Sequence, residues 1–208
     1  MKAKQCTIMF LAPVIFGLTP FLGGCANPIN ARTAQNYYAA GSHAERAGDL
    51  ALARRNFSRA YGNAQLGNLG PAAEASYLYE YARVTGYAGN HVEAESSFKE
   101  VLTLIAKAKG EADRLFPPTL AEYSRLLHDT GQHQKAIPIY ERAVAALEKA
   151  GIESIDPLGY AALLDEFAES LKAAEQPARA AEITARSAAL KAAHPGATPN
   201  FTPRRYRG

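Results

Sequence analysis

Four stretches of this chain repeat one pattern at nearly constant spacing: AGDLALARRNFSRAY, AGNHVEAESSFKEVL, TGQHQKAIPIYERAV and AEQPARAAEITARSA. Each has a turn, then an alanine, then a residue four later that is large in three of the four, then a small one three beyond it. The alanines Ala53, Ala94, Ala136 and Ala180 stand 41, 42 and 44 residues apart, and Phe57, Phe98, Tyr140 and Thr184 come four positions after them. Gly48, Gly89 and Gly131 occupy the turns, with Glu175 in the fourth. A second set precedes each turn, where Tyr37, Leu78, Leu120 and Leu164 are followed four positions on by Gly41, Ala82, Ser124 and Ala168. Spacings of three and four keep these residues on one helical face. Small side chains there let paired helices approach closely while the large ones fill the groove beside them. Every unit therefore reads as helix, tight turn, helix, and units repeated at such a period stack into one continuous core.

This pattern resembles the tetratricopeptide repeat (TPR) over residues 33–194. The period exceeds the usual ~34 residues and is closer to the long variant of kinesin light chains. The resemblance implies an all-α fold, a right-handed α-solenoid of about four units whose first helices line a concave face. Alanine-rich composition agrees, because alanine gives up no side-chain entropy in a helix. YGNAQLGNLGP, between the first and second units, reads as a flexible loop. The degenerate fourth unit suits an end cap that no neighbour covers.

Ahead of the repeats, MKAKQ carries two lysines and the run CTIMFLAPVIFGLTPFLGG carries no charge. That is the layout of an export signal, predicted over residues 1–24. Leu22-Gly23-Gly24-Cys25 resembles a bacterial lipobox. The resemblance implies diacylglyceration of the Cys25 thiol, cleavage before it, and a further acyl chain on its amine. Two or three chains anchor a protein stably where one does not. Ala26 stands where an aspartate would imply inner-membrane retention, so the resemblance points to the outer membrane. Residues 25–32 read as a lipidated tether, and the arginine-rich end, 195–208, as a basic disordered tail.

Little in the chain points to chemistry. A formal net charge of +3 gives no field for nucleic acid. There is no phosphate-cradling loop with its lysine and no His-Glu-x-x-His; no cysteine comes after Cys25 to build a zinc site. No metal, no cofactor beyond the lipid at Cys25 and no catalysis are expected. Carried over from the TPR pattern, the groove positions include Tyr38, Tyr79, Arg83, Tyr87, Arg125, His128, Asp165 and Glu169. Arg125 repeats Arg83 one period later, and two arginines beside tyrosines would suit a peptide bearing carboxylates; ordinary solvated surface charge is the other reading. The expected function is a protein or peptide adaptor held to the outer membrane by lipid and facing the periplasm. It would serve an envelope assembly such as secretion, pilus, barrel or cell-wall machinery. A peptidoglycan or carbohydrate binder and a regulatory subunit of a cell-wall enzyme remain alternatives.

Overall fold

The computed structural model describes residues 26–200 and 203–206. Cys25 and residues 1–24, where an export signal is expected, lie outside the described residues. Four antiparallel helix pairs succeed one another: α1 (Pro28–Arg46) with α2 (Leu50–Leu66), α3 (Pro71–Tyr87) with α4 (His91–Ala108), α5 (Phe116–Asp129) with α6 (His133–Lys149), and α8 (Pro157–Ala173) with α9 (Pro177–Ala193). A single helical turn, α7 (Ile152–Ile155), sits between the third and fourth pairs, and a 3-10 turn covers Gly110–Ala112. No strand occurs among the described residues. The array is an α-solenoid of four helix-turn-helix units.

The repeated small residues are where the helices of a pair meet. Ala53, Ala94, Ala136 and Ala180 are all completely buried, as are Phe57, Phe98 and Tyr140. At Gly41 a Cβ would come within 2.9 Å of the Phe57 ring, so α1 can lie on α2 only because that side chain is missing. Thr184 departs from the pattern: it is exposed, and its hydroxyl donates back to the Ala180 carbonyl at 2.8 Å. No further helix pair packs on that side of α9 among the described residues, so no large side chain is needed there.

Three local expectations are corrected. Helix α1 begins at Pro28, inside the stretch 25–32 expected to be a tether. Asn27 accepts from the Ile29 amide at 3.0 Å, and its own amide donates to the Gly67 carbonyl at 2.8 Å. Asn-Pro works here as an N-cap with a proline at the first helical position, not as a breaker. The glycine-rich junction is mostly helix, since α2 runs through Gly62 to Leu66 and only 67–70 connect it to α3. The third correction concerns the tail: residues 203–206 are packed against the inner helices, with Tyr206 only 1% exposed.

The turns test the repeat directly. Gly48, Gly89 and Gly131 have φ of +81°, +85° and +73°, and Glu175 takes the same left-handed conformation at +59°. A residue with a Cβ is strained there and glycine is not. Glu175→Gly should therefore stabilise the fold by about 0.5–1 kcal/mol. Gly41→Ala should destabilise it by roughly 1–3 kcal/mol through overpacking against Phe57. Urea or thermal unfolding reads both.

Candidate functional site

The inner face is built by α1, α3, α5 and α8, the first helix of each unit. Its centre is a ladder of charges, half-buried at Arg83 and buried at Arg125. Arg83 on α3 donates to Glu80 one turn back and, at 2.9 Å, to Glu45 on α1. Arg125 on α5 donates to Glu122 one turn back at 2.7 Å and, through Nε, to both carboxylate oxygens of Glu166 on α8 at 3.1 Å. Each guanidinium thus ties its own helix to that of a neighbouring unit. Arg125 is 4% exposed, and Glu122 and Glu166 are buried beside it. Burial pushes the Glu166 carboxyl up from its usual range, and Arg125 and Arg205 oppose that shift. Burial alone would lower the Arg125 guanidinium, but Glu122 and Glu166 outweigh it, so the group stays charged.

Each arginine is therefore already held by two carboxylates of this chain, and neither has an unoccupied fork to offer a carboxylate-bearing peptide. The groove is instead occupied by the chain itself, because residues 203–206 lie in it. Arg205 donates to Glu166 and to Asp129, and the Tyr206 amide donates to Asp129 Oδ2 at 2.8 Å. The Tyr206 hydroxyl donates to Glu122 Oε2 at 2.5 Å, and its ring stacks on Tyr87 with centroids 4.6 Å apart. The Arg204 guanidinium also lies over Tyr87, 5.7 Å from the ring centroid. A Cβ at Gly86 would come within 2.6 Å of the Tyr206 ring, so the glycine leaves the space that this tyrosine fills. Pro203 forms part of the wall of a cavity of about 180 Å³ beside Tyr79, Ala121, Arg125 and Tyr160. Asn200 secures the approach, its side-chain amide donating to the Ile155 carbonyl at 2.8 Å.

The other groove positions divide. Tyr79 is half-buried and, with Tyr87, flanks Arg83, the guanidinium lying 5.7 and 5.6 Å from the two ring centroids. Desolvation, with Glu122 second, pushes the Tyr87 hydroxyl up to about 12, so it remains a donor, here to Glu122 at 3.1 Å. His128 is buried, with Nδ1 2.9 Å from the Ser170 hydroxyl and Nε2 3.4 Å from Glu169, whose side chain is otherwise exposed. Tyr38 lies at the far end, packed edge-on against Phe57 and Tyr77. Asp165 faces away from the ladder, accepting from Ser187 and Lys191 on α9. Glu80, Glu122, Asp129 and Glu166 were not among the expected site residues. A signal for two of them exists: EYAR at 80–83 and EYSR at 122–125 repeat one period apart, so glutamate keeps step with arginine.

Solved structures of the same shape exist. BtubC (BKLC) from P. vanneervenii matches with a TM-score of 0.71 at 20% identity, over 83% of this chain and 67% of that one. Kinesin light chain-like TPR repeats from Podosopora anserina match at 0.61 and 19%, over 82% and 84%. MamA RS-1, in a double-mutant form, matches at 0.60 and 18%, over 78% and 77%. The fold is a TPR-like solenoid. No protein-family model and no curated protein matches the chain. Among the described residues of this TPR-like array no cluster could hold a metal ion, and no helix is long and apolar enough to cross a membrane.

Two consequences are measurable. Arg125→Ala leaves Glu122 and Glu166 buried without their shared cation and should cost about 3–5 kcal/mol, whereas removing exposed pairs such as Arg179–Glu141 should cost at most about 1 kcal/mol. His128 is held below its usual 6.5, first by burial and then by Arg205 and His133, with Asp129 and Glu169 opposing. The unfolded chain therefore takes up this proton first as the pH falls. The contribution of the neutral ring is full above about 6.5 and is lost as the pH drops through that value toward the folded pKa. In His128→Gln, stability measured by urea unfolding between pH 7 and 5 should fall less than in the wild type.

Proposed function

We propose that this chain is an adaptor that holds a protein or peptide partner on the concave face of its solenoid and does no chemistry itself. The observation that carries the reading is that the inner face already holds four residues of non-helical polypeptide, by a main-chain hydrogen bond, a ring stack and ion pairs together. A surface that binds backbone and side chains of one short segment has the parts that peptide recognition needs. The fold shared with TPR-like solenoids supports the same reading.

The working place we propose is the periplasmic side of the outer membrane, with the chain tethered by acyl groups on Cys25. Support for this comes from the sequence: a basic start, an uncharged apolar run, and Leu-Gly-Gly-Cys with alanine after it. Asn27 fixes the start of α1 two residues beyond Cys25, so an anchored chain would hold the solenoid's first unit close to the lipid surface. An envelope assembly, in secretion, pilus, barrel or cell-wall machinery, is the setting in which such an adaptor would work.

The test has two arms in the producing cell. Metabolic labelling with a fatty acid should mark the wild-type chain and not Cys25→Ala, which should leave the membrane fraction. A photo-crosslinker at position 79 or 169, at the groove, should trap a discrete protein, while one at exposed position 92 on α4 should not. An unlabelled wild-type chain would remove the anchor, and equal trapping from positions 79, 169 and 92 would remove the groove.

A further inference from the structure

The carboxylates of the inner face outnumber the cations that the helices supply. Glu45 and Glu80 share Arg83, and Glu122 and Glu166 share Arg125. Asp129 is left over. Its side chain is completely buried, and among the described residues its cationic partner is Arg205, with His128 Nε2 at 4.0 Å held largely neutral by burial. A buried carboxylate without a partner is costly, so this position requires a cation whenever the groove is closed to water. Beside it the helices leave a ring-shaped space, floored by Gly86, walled by Tyr87 and ending at Glu122. Glu122 Oε2 accepts from both phenols, Tyr87 and Tyr206. The site therefore specifies two adjacent residues: a guanidinium bridging Asp129 and Glu166, and next to it a phenol that reaches Glu122, with the intervening amide fixed by Asp129.

We propose that this is a recognition site for an extended Arg-Tyr segment of a partner protein, and that Arg205-Tyr206 of the chain itself is a resident occupant which the partner segment displaces. The proposal rests on the groove being the binding face. It reverses the polarity that the arginine ladder suggests in the sequence: the groove selects a basic, aromatic segment and rejects an acidic one. The ladder arginines serve as internal counter-ions that pair with Glu122 and Glu166 and hold them in place. The segment leading to the site is short and tied down at Asn200, which sets a high local concentration of the resident occupant and makes the site competitive, not vacant.

The test uses full-length protein and a fluorescent peptide with the sequence of residues 198–208, TPNFTPRRYRG, read by anisotropy at low salt. The double variant Arg205→Ala/Tyr206→Ala, with its own segment released, should bind the peptide at least tenfold more tightly than the wild type does. A peptide with both corresponding positions replaced by alanine should not bind. Adding Asp129→Asn and Glu122→Gln to the double variant should abolish binding, and so should Gly86→Ala, which fills the ring space without changing charge. Circular dichroism checks that each variant is folded. If the double variant does not fold, Tyr206→Ala alone, which opens the ring space beside Gly86 while Arg205 stays on Asp129, should still bind the peptide more tightly than the wild type, and no gain overturns the proposal. A folded, released variant that does not bind the peptide overturns the proposal and leaves residues 203–206 as a structural staple only. Equal binding of the alanine peptide, or of a peptide with glutamate in place of the arginines, overturns it as well. Cross-linking at positions 79 and 169 in the cell is read independently, so a partner trapped there while the peptide fails would leave the adaptor reading standing without this ligand.

Discussion

Close approach of the two helices within each unit is the constraint on which the rest of the structure depends. Ala53, Ala94, Ala136 and Ala180 on the second helices, and Gly41, Ala82, Ser124 and Ala168 on the first, are all buried where the helices meet. With the pairs held this tightly, the aromatic residue four positions beyond each of the first three alanines has one place to go, into the core. The first helices are then presented side by side, and their remaining faces form a single inner surface. Repeating the unit repeats that surface, so a residue at one register in α3 has a counterpart in α5. This is how Glu80 and Arg83 come to be matched by Glu122 and Arg125.

The inner surface is then governed by charge rather than by packing. A carboxylate withdrawn from water must be paired, and the half-buried Glu45 and buried Glu166 are paired between units, with Arg83 and Arg125. Such pairs fix how one unit sits on the next, which in a solenoid sets the curvature of the groove. They also dispose of the arginines, which face carboxylates of this chain at hydrogen-bonding distance. The leftover acidity, centred on Asp129, is met by Arg205 from the far end of the sequence. Structure and binding preference meet at Glu166, which ties α8 to Arg125 on α5 and also receives Arg205.

Much of the fold is legible in the sequence because the features that specify it are local and repeated. A turn glycine, a buried alanine and an aromatic four later recur often enough to be seen without a structure. Even the exception at Glu175 can be read, and it proves to be a non-glycine residue at φ +59°. Placing Tyr79, Arg83, Tyr87 and Arg125 on the inner helices also needs only the register. The state of those arginines is not legible, because it depends on Glu45 and Glu166, 38 and 41 residues away. The docked segment is harder still. Three arginines and a tyrosine beside prolines look like a solvated tail, and only side-chain hydrogen bonds 39 to 84 residues distant in sequence, with the stack on Tyr87, reveal its seat. Asn27-Pro28 misleads for a different reason: the same two residues can end an element or cap one, and the helix-forming run after them decides which.

The central claim, that the acidic inner face holds an Arg-Tyr segment through Asp129, is tested most directly by amide hydrogen exchange at Tyr206 in the full chain, whose N–H donates to Asp129 Oδ2. A bonded, buried amide exchanges only when its segment opens. Tyr206 should exchange at least about a hundredfold more slowly than a free peptide of the same sequence. Asp129→Asn together with Arg205→Ala should remove most of that protection while the amides of α3 and α5 keep theirs. Exchange of Tyr206 at the free-peptide rate in the wild-type chain would contradict the account.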